Sequence, residues 1–311
     1  MSKTGKSCRK EILISRHLIL KGIRQWFFSE GFVEIQPPVV SRTPLPESSV
    51  DLFEIEDGRR PSYLLPSPEL YLKPLLSLGL ERFFSIGPAF RRGEKGRHHL
   101  PQFTILEWYR ANSDYRSLMK DCQALISSAF KALQNPPGDL SINYNGGRLI
   151  DLEPPYEIMT VEEAFEKFAG WNPVHEKNEQ RFEEDLVSKV EPALSKIGAV
   201  FLKDFPSWAA SLSKLKETDS NVCERVELYI AGLELANGFS ELLDPEEQRA
   251  RFEAENRKRH RLGMKILPAP AEFLSALEHC PPSAGMALGI DRLVMLLTGA
   301  SSISETNIGY L

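Results

Sequence analysis

Only four of the 311 residues are cysteine (Cys8, Cys122, Cys223 and Cys280), and no two of them form a CxxC pair. That spacing argues against a zinc site and against a disulfide framework, and it suits a reducing cytosol. No uncharged apolar run approaches the length needed to span a bilayer. The basic N-terminus does not read as a signal peptide, because Glu11, Arg16 and Lys21 interrupt its apolar residues. Low-complexity tracts and internal repeats are missing too. Positive charge is not in excess: 38 basic against 43 acidic side chains leave a net charge of -5, so any nucleic-acid-binding patch must be local. The reading is a soluble, cytoplasmic protein with no membrane partner. Two common nucleotide signatures are also lacking, GxGxxG after a strand and GxxxxGK[ST]. ATP, if bound, is held in another way.

What is present suffices for a sizeable core, since 42% of the residues are hydrophobic. Ile12, Leu18, Ile19, Ile23, Trp26 and Phe27 recur at helical spacing, predicting an amphipathic helix from about Arg9 to Glu30 with Gly31 as its stop. A short strand, Phe32 to Ile35, runs into Pro37-Pro38. Ser67-Pro68-Glu69 supplies a capping hydroxyl, a first-turn proline and an acid at the positive helix end, opening a helix that ends at Gly79. Two strands, Arg82 to Arg92 and Gln102 to Ala111, flank a polar loop and make a long hairpin. Residues 115 to 222 read as mostly helical, with a linker around Asn135-Pro136-Pro137-Gly138. Strand character returns at Val226, Leu228 and Ile230, and Asp244-Pro245-Glu246-Glu247 starts a helix running to Gly263. Hairpins interleaved with helices, without regular alternation, predict an α+β protein whose antiparallel β-sheet is flanked by helices.

Three clusters can carry chemistry. The hairpin holds Arg91, Arg92, Gly93, Glu94, His99 and Leu100, and arginines entering a loop suit polyphosphate through charge-assisted, often bidentate bonds. On its second strand Phe103, Ile105, Glu107 and Tyr109 share one face by period two, a surface that can stack a base and grip a cation. Next, Glu234 and Glu241 flank Leu235-Ala236-Asn237-Gly238-Phe239-Ser240. Carboxylates at that separation face opposite ways on a straight strand, and Asn237-Gly238 invites a bulge that brings them together. Last comes Gly285-Met286-Ala287-Leu288-Gly289-Ile290-Asp291-Arg292, whose glycines allow close backbone approach. Each cluster alone also has an ordinary account as a solvated loop, a polar edge strand or a buried turn.

Together the clusters resemble the class II aminoacyl-tRNA synthetases. The run from Phe90-Arg91 through Arg97-His98, Pro101 and Phe103-Thr104 to Glu107 and Tyr109 resembles motif 2 (about residues 82–111). Gly285 to Leu293 resembles motif 3 (about 285–299), and the first helix with Gly31 to Pro38 resembles motif 1 (about 16–45), the usual dimer element. Ser67-Pro68-Glu69-Leu70-Tyr71-Leu72-Lys73 and Ala236 to Leu242 narrow the likeness to the lysyl branch. The chain begins almost at motif 1, where lysyl-tRNA synthetases carry an anticodon-binding barrel, and it is most similar to the stand-alone elongation factor P lysine ligase family. The resemblance implies a single catalytic domain over residues 1–311, with no anticodon-binding domain.

It further implies ATP and Mg²⁺, a lysine-type amino acid, elongation factor P as acceptor with tRNA not expected, and a homodimer through motif 1. Arg91 is expected at the α-phosphate and Arg292 at the distal phosphates, as the catalytic pair. Arg92, Gly93, Glu94, His99, Leu100, Phe103, Glu234, Leu235 and Gly289 complete the expected ATP site, with Phe103 stacking on adenine. Glu234 with Glu241 is the expected metal pair. Ser67, Pro68, Glu69, Glu107, Tyr109, Asn237 and Glu241 are expected around the amino acid, where an ammonium needs carboxylates. Gly93, Leu100 and Gln102 depart from the family pattern at positions expected to touch ATP. Two alternatives stay open: another acceptor (tRNA, a carrier protein or a small amine), and a catalytically weak regulatory paralogue.

Overall fold

The structure, a computed structural model, describes residues 3–56, 58, 60–134, 138–144 and 148–308, with backbone alone at 3–8 and 148. Residues 135–137 of the expected linker and 309–311 of the tail lie outside the described residues. The helices are α1 (Lys3–Ser29), α2 (Glu69–Leu72), α3 (Tyr115–Lys131), α4 (Val161–Ala169), α5 (Glu179–Asp185), α6 (Glu191–Ile197), α7 (Pro245–Arg261), α8 (Ala271–Leu277) and α9 (Ile290–Thr298). The strands are β1 (Val33–Glu34), β2 (Val40–Ser41), β3 (Glu54–Ile55), β4 (Ser62–Leu64), β5 (Arg82–Phe90), β6 (Gln102–Ala111), β7 (Ser141–Tyr144), β8 (Arg148–Asp151), β9 (Glu157–Thr160), β10 (Ala199–Pro206), β11 (Leu215–Lys216), β12 (Asp219–Ile230), β13 (Leu233–Ser240) and β14 (Ser283–Gly289).

Among these, nine strands form one sheet in the order β1-β5-β6-β14-β13-β12-β10-β9, with β11 beside β12. Only β1 with β5 and β9 with β10 run parallel; every other pair is antiparallel. The fold is thus α+β around a mainly antiparallel sheet, as the pattern predicts. On β6, Leu106 and Trp108 face one way into a core shared with Ile19, Ile23 and Phe27 of α1, Leu125 and Ile126 of α3, and Leu293 of α9. Each such side chain contributes about 1.5–3 kcal/mol on burial. Pleating turns the alternate residues Phe103, Ile105, Glu107 and Tyr109 to the opposite face, which carries the candidate site. No described helix is long and apolar enough to cross a membrane.

Local chemistry explains the helix starts. Asp244 caps α7, its carboxylate accepting from the Glu246 and Glu247 N–H groups at 2.9 and 3.0 Å, with Pro245 in the first turn. The helix opened by Ser67-Pro68 is one α turn followed by a 3-10 stretch, Lys73–Leu78, ending at Gly79 in the left-handed region.

The expectation that residues 115 to 222 are mostly helical is wrong in part. Helices occupy α3 to α6, but β7 to β11 and the start of β12 fall in the same interval. Strand β10 is almost wholly buried, because it lies between β9 and β12 and packs a second core with Phe165, Phe182 and Val190. A strand covered on both faces shows no alternation, so its apolar run looks like a buried helix turn.

Candidate active site

Strands β6, β13 and β14 form the floor of a cleft of about 420 Å³, and the β5–β6 loop and the start of α9 close one end. The cleft brings together Ser67, Glu69, Arg91, Glu94, His99, Leu100, Phe103, Glu107, Tyr109, Glu234, Leu235, Asn237, Glu241, Gly289 and Arg292. Pro68, Arg92 and Gly93 are not in its lining. Pro68 faces a neighbouring pocket instead, Arg92 turns outward to Asp51 at 3.7 Å, and Gly93 has open space around its α-carbon in a left-handed turn. Gln102 is exposed and also outside the lining, because the pleat that points Phe103 inward points it out. Its departure from the family pattern therefore lies off the cleft, whereas Leu100 is a buried part of its wall.

One end of the cleft is built for anions. The Arg91 guanidinium lies 5.1 Å from the Phe103 ring centroid and 3.6 Å from Glu94. Arg292 donates to the Glu234 backbone carbonyl at 2.7 Å and to the His98 carbonyl at 3.3 Å, and its other amino group lies 2.8 Å from His99 Nε2. Burial first, then Arg292, holds His99 below the ordinary histidine pKa, so it stays neutral beside that cation. Asp291 secures the helix start, accepting from Arg16 of α1 at 2.6 Å and from the Thr104 backbone N–H at 2.5 Å.

The other end is built for cations. Glu69, Glu107 and Glu241 are all buried. Lys73 Nζ sits 2.8 Å from Glu69 and 2.6 Å from Glu241, fully enclosed and facing the rings of Phe239 and Phe273. Glu107 accepts from Tyr109 Oη at 2.7 Å and from Ser67 Oγ at 2.8 Å. Burial pushes the Glu107 and Glu241 carboxyls up to about 8, with Glu69 adding to both. Burial alone would lower Lys73, but Glu241 and Glu69 more than offset it and hold its pKa above the ordinary value. Among the described residues Lys73 is the cation paired within this trio, bridging Glu69 and Glu241, which leaves an excess of two negative charges when all three carboxylates are ionised. Gly285 makes room here, since a Cβ on it would lie 2.5 Å from Glu241 Oε1 and 2.5 Å from the Tyr109 ring.

The expected partnership of Glu234 with Glu241 takes a different form. A bulge does bring both to the cleft face, but it sits at Leu235, where the β12 pairing shifts from Leu228–Ala236 to Tyr229–Glu234. Asn237 and Gly238 stay in regular register with both neighbours. Glu234 joins Arg292 at 3.4 Å, while Glu241 is engaged by Lys73. The Glu234 charge acts on Glu191 and on Glu227, the latter buried on β12 and bonded to Arg225 at 2.6 Å and Tyr229 at 2.7 Å. Burial first raises the Glu227 pKa, Arg225 opposes, and Glu234 raises it further. Glu227 lies outside the cleft lining with both oxygens engaged, so Glu234 is the acid of these two that faces the cleft.

Lys73, Glu227, Phe239 and Asp291 were without assigned roles from the sequence, although signals exist for two. Lys73 stands one helical turn after Glu69, and Glu227 precedes Glu234 by the same interval that separates Glu234 from Glu241. Glu47, which also lines the cleft, has no sequence signal at all.

A mainly antiparallel sheet with an arginine on its hairpin beside the Phe103 ring, and a second arginine at the start of the closing helix, is the arrangement of a class II synthetase-type catalytic domain. The chain belongs to the tRNA synthetases class II (D, K and N), a family that matches residues 3–308. Within it, the chain is similar to proteins named elongation factor P–(R)-β-lysine ligase. It is 36% identical over 303 residues to the one from Klebsiella pneumoniae (strain 342), covering 94% of this chain and 93% of that protein. With the one from Pectobacterium carotovorum subsp. carotovorum (strain PC1) it shares 35% identity over 307 residues, with coverage of 94% and 93%. The one from Photorhabdus laumondii subsp. laumondii is 35% identical over 309 residues, again with 94% and 93% covered.

Proposed function

We propose that this chain activates α-lysine or (R)-β-lysine with ATP and Mg²⁺, and transfers the aminoacyl group to a lysine side chain of elongation factor P. The observation that carries the reading is the buried trio Glu69, Glu107 and Glu241, for which Lys73 is the paired cation among the described residues. A surplus of buried carboxylate is costly unless a ligand brings positive charge, and a lysine-type donor brings two ammonium groups. The relatives' name supplies the (R)-β-lysine donor and the acceptor, and the acidic balance of the chain gives no electrostatic reason to choose tRNA instead.

In this reading Ser67, Glu69, Glu107, Tyr109, Asn237 and Glu241 hold the amino acid. Arg91 draws its carboxylate and the α-phosphate together, and Arg292 takes the distal phosphates. Phe103 stacks on adenine, with Glu94, His99, Leu100, Leu235 and Gly289 as the surrounding wall. The carboxylate oxygen attacks the α-phosphorus as the bond to pyrophosphate breaks. The acceptor amine nitrogen then attacks the acyl carbon, losing a proton as AMP departs. Orientation and fixed charge supply the acceleration, so no serine or cysteine nucleophile is needed. Glu234 would help to hold Mg²⁺, which would neutralise polyphosphate charge when bound.

A homodimer is part of the proposal, because Ile14, Phe28 and Val33 expose apolar surface on α1 and β1. Light scattering at twice the chain mass supports it; a monomer removes it. We place the activity in the cytoplasm. The adenylation step is tested by amino-acid-dependent ATP–pyrophosphate exchange. Lysine-type donors exchange, and leucine or glutamine is rejected by roughly 10⁴-fold because the carboxylates would be left unpaired. Equal exchange with a neutral amino acid overturns the reading.

A further inference from the structure

The loop from 43 to 52, between β2 and β3, contributes Glu47 to the cleft, beside Glu69 and Arg91. Its backbone is clamped from behind. Arg259 of α7 donates to the Glu47 carbonyl at 2.7 Å and the Val50 carbonyl at 3.2 Å. Ser48 donates its N–H and its hydroxyl to Glu255 of α7 at 2.8 and 2.6 Å. A loop held on both sides of one residue presents that side chain in a fixed place. Yet the Glu47 carboxylate has neither a hydrogen bond nor an ion pair with any described residue. The charges around it are Arg91 in front, Glu69 beside it, and Glu255 and Arg259 behind.

We infer that Glu47 is a substrate-binding residue, taking the donor ammonium nearest the reacting carboxylate. The inference rests on the lysine-type donor proposed above and deepens it. Lys73 already neutralises part of Glu69, and Glu107 with Tyr109 and Glu241 lies at the far end for the distal ammonium. The cleft carboxylate beside Arg91 and Glu69 that has no hydrogen bond or ion pair with a described residue is Glu47, and it is placed for the ammonium near Arg91. Burial first, then Glu69, pushes its pKa up to about 7 against the pull of Arg91, as befits a carboxylate waiting for a cation.

The test compares wild type with Glu47→Gln, using α-lysine, (R)-β-lysine and 6-aminohexanoate, which lacks the ammonium near the carboxylate. Glu47→Gln is expected to raise KM roughly 10- to 100-fold for the better diamino donor, the loss of one charge-assisted contact, with KM for ATP unchanged. The 6-aminohexanoate KM is expected to stay within about twofold. A matching loss with 6-aminohexanoate, or no loss with either diamino donor, overturns the inference. Thermal melting confirms that the variant is folded, and Glu47→Asp is expected to restore part of the affinity. If wild type releases no pyrophosphate, the proposed reaction fails, and calorimetric binding of the same three compounds still reads Glu47. Wild type that binds mono- and diamino donors equally then overturns the inference.

Discussion

Lys73 Nζ lies 2.6 Å from the Glu241 carboxylate, and neither side chain is exposed to solvent. The pair ties the first turns after Ser67 to the end of β13, and so fixes one wall of the cleft. Removing one partner of a buried ion pair leaves an uncompensated charge. Lys73→Met is therefore expected to cost about 3–5 kcal/mol of stability, read by denaturant unfolding. The double variant Lys73→Met/Glu241→Leu should recover a good part of that loss. A single variant as stable as wild type would contradict the ion-pair account.

The raised carboxyls give a pH dependence with a definite sign. Glu107 and Glu241 have ordinary values of 4.5 and sit near 8 in the fold, so the folded state binds protons more tightly than the unfolded chain. Stability of the empty protein should fall as pH rises from 4.5 toward 8. Donor ammonium groups favour the ionised carboxylates. Lysine binding should then strengthen over the same window and release protons, which calorimetry in buffers of different ionisation heat measures directly. Binding without proton release at pH 7 would contradict the buried trio.

The two ends of the cleft should separate in kinetics. Glu234→Gln is expected to raise the Mg²⁺ concentration needed for half-maximal activity, with little change in KM for lysine. Glu241→Gln is expected to do the reverse. Equal effects of both on Mg²⁺ would restore Glu241 to the metal set.

Arg16 reaches from α1 to Asp291, next to Arg292. Arg16→Ala removes a half-buried charged hydrogen bond worth about 1.5–3 kcal/mol. The expected outcome is a KM for ATP raised roughly tenfold or more, with KM for lysine near wild type. Arg16→Lys should keep part of the wild-type affinity for ATP. Loss of stability with unchanged KM for ATP would make Arg16 purely structural.

The legible parts of the molecule are those where local chemistry decides. The hairpin flanking the arginine loop, the cap at Asp244 and the stripe on α1 follow from turn residues, caps and period. So does the shared face of Phe103, Glu107 and Tyr109. What stayed hidden depends on partners distant in sequence. Strand β10 is buried by its neighbours and loses its alternation. The bulge at Leu235 is set by pairing with β12, and it puts Glu234 on the cleft face along with Glu241. Lys73 has no role in the sequence until the fold encloses it between Glu69 and Glu241, and Glu47 gains meaning only from the α7 clamp.

The central claim is tested most directly by the intact mass of elongation factor P after incubation with this protein, ATP, Mg²⁺ and either α-lysine or (R)-β-lysine. The account predicts a gain of one aminoacyl group on the acceptor, dependent on ATP and lost in Arg91→Ala. An unchanged mass with both donors, while pyrophosphate is released, would contradict elongation factor P as the acceptor.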